Sequence, residues 1–167
     1  MTSHPARGYL SSGAVFDKSE SYRYLLWRSW RLELPLVTFV MLNPNSADAI
    51  RDDPTIRRCI GFARAWGYGG IDVVNVFGYR ARSPADLNAV VDPVGPANRK
   101  YLERACVRAS IVVAAWGNGI RSRSRAGDSL VGITEDLFCL GRTRHGQPKH
   151  PLYLRSNVLL EPYALDL

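Results

Sequence analysis

Residues 36–45 read LVTFVMLNPN, a mostly apolar run that stops at Asn43, Pro44 and Asn45. A short apolar run bounded by turn residues is typical of a strand buried on both faces of a parallel sheet. Two further runs have the same form, IDVVNVF at 71–77 and SIVVAAW at 110–116, and a shorter one, FCL, lies at 138–140. The repeated pattern predicts a central, mainly parallel, four-stranded sheet.

Helices are predicted between these strands. Asp53 is a good N-cap, and Pro54 is favoured at a first helical position. The apolar residues that follow, up to Ala63, recur with helical spacing on one face. Two more helices are predicted at 97–109 and 128–136. Strands that alternate with helices indicate right-handed βαβ units, so we expect an α/β protein with three layers, α/β/α.

The length and composition predict one domain. The chain has 167 residues, a mass of 18.6 kDa and 46% hydrophobic residues, which excludes wholesale disorder. We expect a single domain over 1–167, with an N-terminal β-hairpin at 13–30, a core at 36–154 and a C-terminal tail at 155–167. No apolar run approaches the roughly 18 residues of a membrane span, and the three cysteines are far apart. The sequence therefore predicts a cytoplasmic protein with buried thiols, and it leaves the oligomeric state open.

The charge balance favours an anionic partner. Lys and Arg number 22 against 15 Asp and Glu, which gives a net charge of +7. Such a balance suits nucleic acid, a nucleotide or a phosphate. A bias in genome composition is the alternative explanation, because Arg far outnumbers Lys.

Polar residues follow the predicted strands where each one ends. Ligands bind beyond the carboxyl ends of parallel strands, so we expect these residues to meet at one edge of the sheet. The candidate ligand-binding residues are Pro44, Asn45, Asn75, Tyr79, Arg80, Trp116, Gly117 and Asn118. The candidate phosphate-binding residues are Arg121, Arg123, Arg125, Arg142, Arg144 and Lys149.

Asn75 is the most informative of these residues because it interrupts an apolar strand. A buried amide that lacks a partner costs roughly 1–3 kcal/mol. An amide offers both a donor and an acceptor, which matches the edge of a nucleobase. The alternative is that Asn75 ties down a neighbouring loop.

Three residues are candidates for catalysis. Asn43 could hold a water, although an Asn before Pro is also an ordinary turn residue. Asp52 has no evident structural role and could assist in activating that water, whereas Asp53 is explained as a helix cap. We expect no metal ion at the acidic cluster of Asp48, Asp52 and Asp53. His150 could stabilise a leaving group, or it could be a surface residue.

The chain resembles the bacterial and phage domain-of-unknown-function family 1643. The resemblance covers nearly the whole chain. It rests on MLNPN at 41–45, DDPTIRRC at 52–59, VNVFGYRA at 74–81, DPVGP at 92–96, AWG at 115–117 and HPLYL at 150–154. The family name supplies no activity.

The order of the motifs is more distantly similar to the uracil-DNA glycosylase superfamily. That resemblance implies a similar α/β/α fold and a base-releasing activity. It also implies that Asn43 positions the attacking water, Asn75 binds the base and His150 assists the leaving group.

These observations lead to one hypothesis and two alternatives. We expect a protein that binds a nucleobase or nucleic acid, with DNA favoured over RNA. The sequence leaves open whether it is an enzyme; a catalytic activity would be hydrolysis of an N-glycosidic bond without a cofactor. A non-catalytic nucleic-acid-binding or regulatory module is the first alternative, and an enzyme acting on a free nucleoside or nucleotide is the second. The sequence contains no GxxxxGK[ST], GxGxxG or GxSxG motif, which disfavours P-loop, Rossmann and α/β-hydrolase chemistry.

Overall fold

The computed structural model describes residues 8–119, 128–134 and 136–165. The strands are β1 (Ser11–Phe16), β2 (Arg23–Ser29), β3 (Leu36–Met41), β4 (Gly70–Asn75), β5 (Ile111–Ala114), β6 (Leu137–Cys139) and β7 (Glu161–Tyr163). The helices are α1 (Pro54–Ala65), α2 (Pro84–Ala89) and α3 (Asn98–Arg108), with 3₁₀ turns at Gly117–Gly119 and Pro151–Tyr153. The α/β class predicted from the sequence is confirmed.

The sheet is mixed and has seven strands in the order β1-β2-β4-β3-β5-β6-β7. The four strands predicted from the apolar runs are neighbours and pair in parallel. The predicted number of strands, four with a separate hairpin, was nevertheless too low. The hairpin β1–β2 pairs antiparallel with β4, and β7, from the predicted tail, pairs antiparallel with β6. These additions satisfy backbone groups that the outer parallel strands would otherwise expose.

Helices cover both faces of the sheet. Phe39 of β3 packs in the same core cluster as Ile56 of α1. The next residue, Val40, packs in the opposite cluster with Leu102 of α3. Alternation along one strand therefore fills two cores, as expected for a strand buried on both faces.

The helix ends show which local signals were sufficient. The Asp53 carboxylate accepts a hydrogen bond from the Ile56 amide at 2.9 Å and caps α1, which begins at Pro54 as predicted. The range of α3 agrees with the predicted 97–109. The helix predicted at 128–136 is only partly observed, because residues 128–130 are helical and 131–133 form a turn. The short helix α2, capped by Ser83, was not predicted.

Two expectations about the chain's environment can be compared with the structure. All three cysteines, Cys59, Cys106 and Cys139, are buried and unpaired. In the part of the chain that the structure describes, no helix combines the length and apolar character that crossing a bilayer requires.

Candidate nucleobase-binding site

A cavity of about 430 Å³ lies where β3 and β4 end and α1 begins. We call it the Asn75 cavity. Its polar lining includes Arg23, Asn43, Asn45, Asp53, Asn75 and His150, and its apolar lining includes Met41, Ile56, Val73 and Trp116. The parallel register pairs Met41 with Asn75, so the ends of β3 and β4 form adjacent parts of the wall.

The structure brings together several residues that the sequence placed in one site. Asn43, Asn45, Asn75, Trp116 and His150 all line the Asn75 cavity. Two other candidates support the wall without lining it. Pro44 is buried beside Asn43, and Gly117 has a φ of +68°, with an added Cβ lying 3.4 Å from the His150 Cβ. Gly117 therefore supplies a left-handed backbone conformation that few other residues adopt.

Tyr79 and Arg80 lie next to this cavity rather than in it. They line a neighbouring cavity of about 330 Å³. Asn45 and Arg82 line both cavities, so the two are contiguous. A third cavity, of about 390 Å³ beside α3, is lined by none of the predicted site residues.

The remaining candidates that the structure describes do not line the Asn75 cavity. The Asn118 Oδ1 accepts a hydrogen bond from the Thr143 hydroxyl at 2.8 Å. Arg142 lies 3.7 Å from the Glu161 carboxylate, and the Arg144 Nε donates to the His145 Nε2 at 3.1 Å. The Lys149 side chain lies beside Gly141. Arg121, Arg123 and Arg125 fall outside the described residues.

Asp52 has a structural role that the sequence did not reveal. Its Oδ1 accepts from the Nε of Arg28 at 2.8 Å, and its Oδ2 accepts from the Tyr9 hydroxyl at 2.5 Å. Asp52 does not line the Asn75 cavity. The three aspartates of the predicted acidic cluster have different roles. Asp52 binds Arg28 and Tyr9, Asp48 accepts hydrogen bonds from the amides of its own turn, and Asp53 caps α1.

The Asn75 amide is buried in the wall of this cavity. The residue is 1% exposed, and neither its Oδ1 nor its Nδ2 has a hydrogen-bond partner among the described residues. Its backbone carbonyl, in contrast, accepts from the Nδ2 of Asn98 at 2.9 Å. The side chain therefore ties down no loop, and its donor and acceptor are both available to a ligand.

Asn43 is held so that its oxygen is available. Its Nδ2 donates to the Ala81 carbonyl at 2.9 Å and to the Pro44 carbonyl at 3.0 Å. These contacts fix the amide, and no described residue donates to its Oδ1. That oxygen is an acceptor for a water or a ligand group.

His150 is held in its neutral form with a defined tautomer. Its Nδ1 accepts from the Leu152 amide at 3.2 Å, which places the proton of the neutral ring on Nε2. Burial lowers the pKa of His150 below its usual value, and the nearby Asp53 carboxylate opposes this only in part. At neutral pH the ring therefore offers one N–H donor.

Arg23 and Arg82 line the site but were not among the candidates from the sequence, and Arg23 is the buried one of the two. The residue is 2% exposed, and its Nη1 donates to the Ala47 carbonyl at 2.7 Å. Its Nε has no hydrogen-bond partner, and Arg23 forms no ion pair within the described residues. Burial lowers the pKa of Arg23 to about 10, although the carboxylate of Asp53 opposes that shift, so the side chain is still a cation at neutral pH.

A shift in register explains why Arg23 reaches the cavity. Val15 of β1 pairs with Leu25, but the next residue, Phe16, pairs with Arg23 and skips Tyr24. Tyr24 then stacks on Tyr101 of α3, whereas Arg23 lines the cavity at the start of α1. Regular alternation would not have indicated this orientation, and a bulge leaves no distinct sequence signal here.

Comparison with known proteins identifies one family. A family model described as "Protein of unknown function (DUF1643)" matches residues 23–152. The match contains every residue that lines the Asn75 cavity except Tyr153. Neither the curated proteins nor the solved structures gave a match.

Proposed function

We propose a function from the geometry of the site, because the chain belongs to the DUF1643 family and that family is described only as proteins of unknown function. The Asn75 cavity binds a nucleobase, and the protein hydrolyses the N-glycosidic bond that joins this base to its sugar. The buried, unpartnered amide of Asn75 is the observation that carries the proposal.

The unpaired amide of Asn75 and the apolar walls of the cavity support the recognition of a base. An unpaired buried amide costs roughly 1–3 kcal/mol, and a base edge with a donor beside an acceptor would remove that cost. Met41, Val73 and Ile56 are buried apolar residues of the lining and suit the faces of a flat ring. Ligand sites commonly combine such apolar walls with a few convergent polar groups.

The chemistry uses Asn43 and His150. The Asn43 Oδ1 accepts a hydrogen bond from a water and orients it towards the sugar carbon. The water oxygen bonds to that carbon, the carbon–nitrogen bond breaks, and the base leaves with the electron pair. The His150 Nε2–H stabilises the departing base by hydrogen bonding, and the proton that the water releases neutralises the base. Asp52 takes no part, because its carboxylate is bound to Arg28 outside the cavity lining.

We propose DNA as the partner. A base within a duplex must be flipped out before it can enter a cavity of this kind. Arg82 is exposed at the edge of the Asn75 cavity, and Arg80 lines the contiguous one, so both are candidates for phosphate contacts. The order of the sequence motifs, which is similar to that of the uracil-DNA glycosylase superfamily, supports the same proposal. We also propose that the core formed by β4, β3, β5 and β6 has the fold of that superfamily.

A base-release screen tests this proposal. DNA and RNA oligonucleotides, each with one normal or modified test base, are incubated with the protein, and free base is measured by mass spectrometry. We expect release from at least one substrate, reduced about 100-fold by Asn75→Ala and by His150→Ala. Asn118→Ala is the matched control, since this amide lies outside the cavity lining.

Other outcomes would contradict parts of the proposal. Full activity in either cavity variant would remove that residue from the mechanism. Oligonucleotide binding without release of any base would favour the non-catalytic module. Binding that saturates with mononucleotides and ignores oligonucleotides would favour the enzyme of free nucleotides.

A further inference from the structure

We propose that Arg23 determines which bases the Asn75 cavity accepts. It selects a base whose buried edge presents an oxo acceptor over one that presents an amino group at the same position. This inference rests on the proposed function, because it requires that the cavity binds a base.

Asn75 alone cannot make this distinction. An amide turned by half a revolution exchanges its donor and its acceptor, and no described residue bonds to either atom to prevent that turn. One orientation matches an oxo group beside a ring N–H, and the other matches an amino group beside a ring nitrogen. A discriminating site therefore needs a second group whose hydrogen-bonding character is fixed.

Arg23 supplies such a group, because a guanidinium has only donors in every orientation. Its position is also fixed. The Nη1 donates to the Ala47 carbonyl at 2.7 Å, and the amide of Ala47 in turn donates to the Asp53 Oδ2 at 3.3 Å. The unpartnered Nε belongs to a side chain that lines the same cavity as Asn75.

Burial makes the choice energetically significant. An oxo acceptor would give the unpartnered Nε of the buried guanidinium a charge-assisted hydrogen bond. An amino group at that position would leave two donors facing each other with no acceptor. Hydrogen bonds to charged groups are stronger than those between neutral groups, so we expect a preference of about 10- to 100-fold for the oxo base.

The test uses short oligodeoxynucleotides with one test base and tetrahydrofuran abasic residues at every other position. Uracil is compared with cytosine, and hypoxanthine with adenine, because each pair differs by an oxo and an amino group. A 2′-fluoroarabino sugar at the test base prevents its release. Fluorescence anisotropy gives the affinities, and the all-abasic oligonucleotide gives the contribution of the phosphates alone.

We expect the wild-type protein to bind the oxo member of each pair about 10- to 100-fold more tightly. Arg23→Met and Arg23→Gln should each bring that ratio to within about twofold of unity. Arg82→Met is the matched control, since it removes an exposed cation from the same cavity. It should weaken all oligonucleotides alike and leave the ratio unchanged.

The outcomes separate this inference from the proposed function. An unchanged ratio in a folded Arg23 variant, or equal wild-type affinities within both pairs, would overturn the role of Arg23. If no test base binds better than the all-abasic oligonucleotide, the base-binding function itself is wrong. Thermal unfolding followed by circular dichroism shows which variants are folded, and either Arg23 variant suffices.

Discussion

Two arginines of strand β2 are both buried, but their side chains differ in how many hydrogen-bond partners they have. Arg28 is fully buried, and its guanidinium bonds to the Asp52 carboxylate at 2.8 Å, the Asp48 carbonyl at 2.7 Å and the Trp27 carbonyl at 2.9 Å. Arg23 is nearly as buried, but within the described part of the chain its side chain makes one hydrogen bond, to Ala47. Both arginines bind the segment that joins β3 to α1. They differ because Arg28 is bonded to the Asp52 carboxylate, whereas Arg23 lines the Asn75 cavity.

The comparison distinguishes polar groups that stabilise the fold from polar groups that are available to bind a ligand. Where a buried polar group has all its partners inside the chain, as Arg28 has, its loss should cost stability. Where partners are lacking, as at Arg23 and Asn75, its loss should cost binding instead.

The largest effect is expected at the Arg28–Asp52 pair. Removing one member of a buried ion pair leaves the other charge uncompensated, which typically costs 3–5 kcal/mol. We expect Asp52→Ala to lower the free energy of unfolding by about 3 kcal/mol, measured by urea denaturation. Arg23→Met breaks no ion pair. It leaves the Ala47 carbonyl without its donor, but it also removes a buried cation that has no ion pair among the described residues, so the net cost should be less than about 1 kcal/mol. Equal losses for the two variants would abolish the distinction between these arginines.

The buried amides Asn98 and Asn75 should show the same contrast with a smaller effect, because the Nδ2 of Asn98 has two partners, although its Oδ1 has none among the described residues. The Nδ2 of Asn98 donates to the carbonyls of Asn75 and Val76, so Asn98→Ala leaves both without this donor. We expect it to lower the free energy of unfolding by about 1–3 kcal/mol. Asn75→Ala should leave stability unchanged or raise it, because its amide has no partner to lose. A large loss of stability in Asn75→Ala would show that its amide is bonded after all.

Asp72 is an intermediate case with the smallest expected effect. Its only ion-pair partner among the described residues is Arg108, whose half-exposed side chain lies 3.0 Å away. Burial raises the pKa of Asp72 from 3.8 to about 6, and Arg108 opposes that shift. The folded state therefore binds a proton more tightly than the unfolded state. This contribution to stability is fully present below about pH 4 and is lost as the pH rises through about 6.

The corresponding variant is Asp72→Asn, which should remove this pH dependence. At pH 7 we expect it to be more stable than the wild type by on the order of 1 kcal/mol. The advantage should shrink as the pH is lowered through 6 and disappear below about 4, where the wild-type carboxyl becomes protonated in both states. Urea denaturation at both pH values measures the difference, and an advantage that does not change with pH would contradict the assignment.

The parts of the fold that the sequence predicted depend on local patterns. Asp53 and Pro54 mark the start of α1 because a cap and its helix are adjacent in the chain. The apolar runs identified the four parallel strands in the same way. Strand β7 was missed because a three-residue edge strand has too short a pattern to separate from a tail.

The site was predictable only where its residues lie at the end of a parallel strand or in the loop that follows it. Asn43, Asn75 and His150 line one cavity because the ends of parallel strands meet at one edge. The roles of Asp52 and Arg23 could not be predicted, because both depend on contacts between residues that are distant in the sequence. The partner of Asp52 lies 24 positions earlier in the chain, and Arg23 reaches the cavity through a register shift that depends on strand pairing.

The most direct measurement follows the NMR signals of the buried groups while an oligonucleotide with one test base is added. The side-chain N–H signals of Asn75, Arg23 and Arg28 are assigned by comparison with the corresponding variants. If the unpaired groups of the Asn75 cavity bind a base, the Asn75 and Arg23 signals shift and the Arg28 signal does not, and the all-abasic oligonucleotide produces neither shift. Binding that leaves the Asn75 and Arg23 signals unchanged would contradict this role for the cavity.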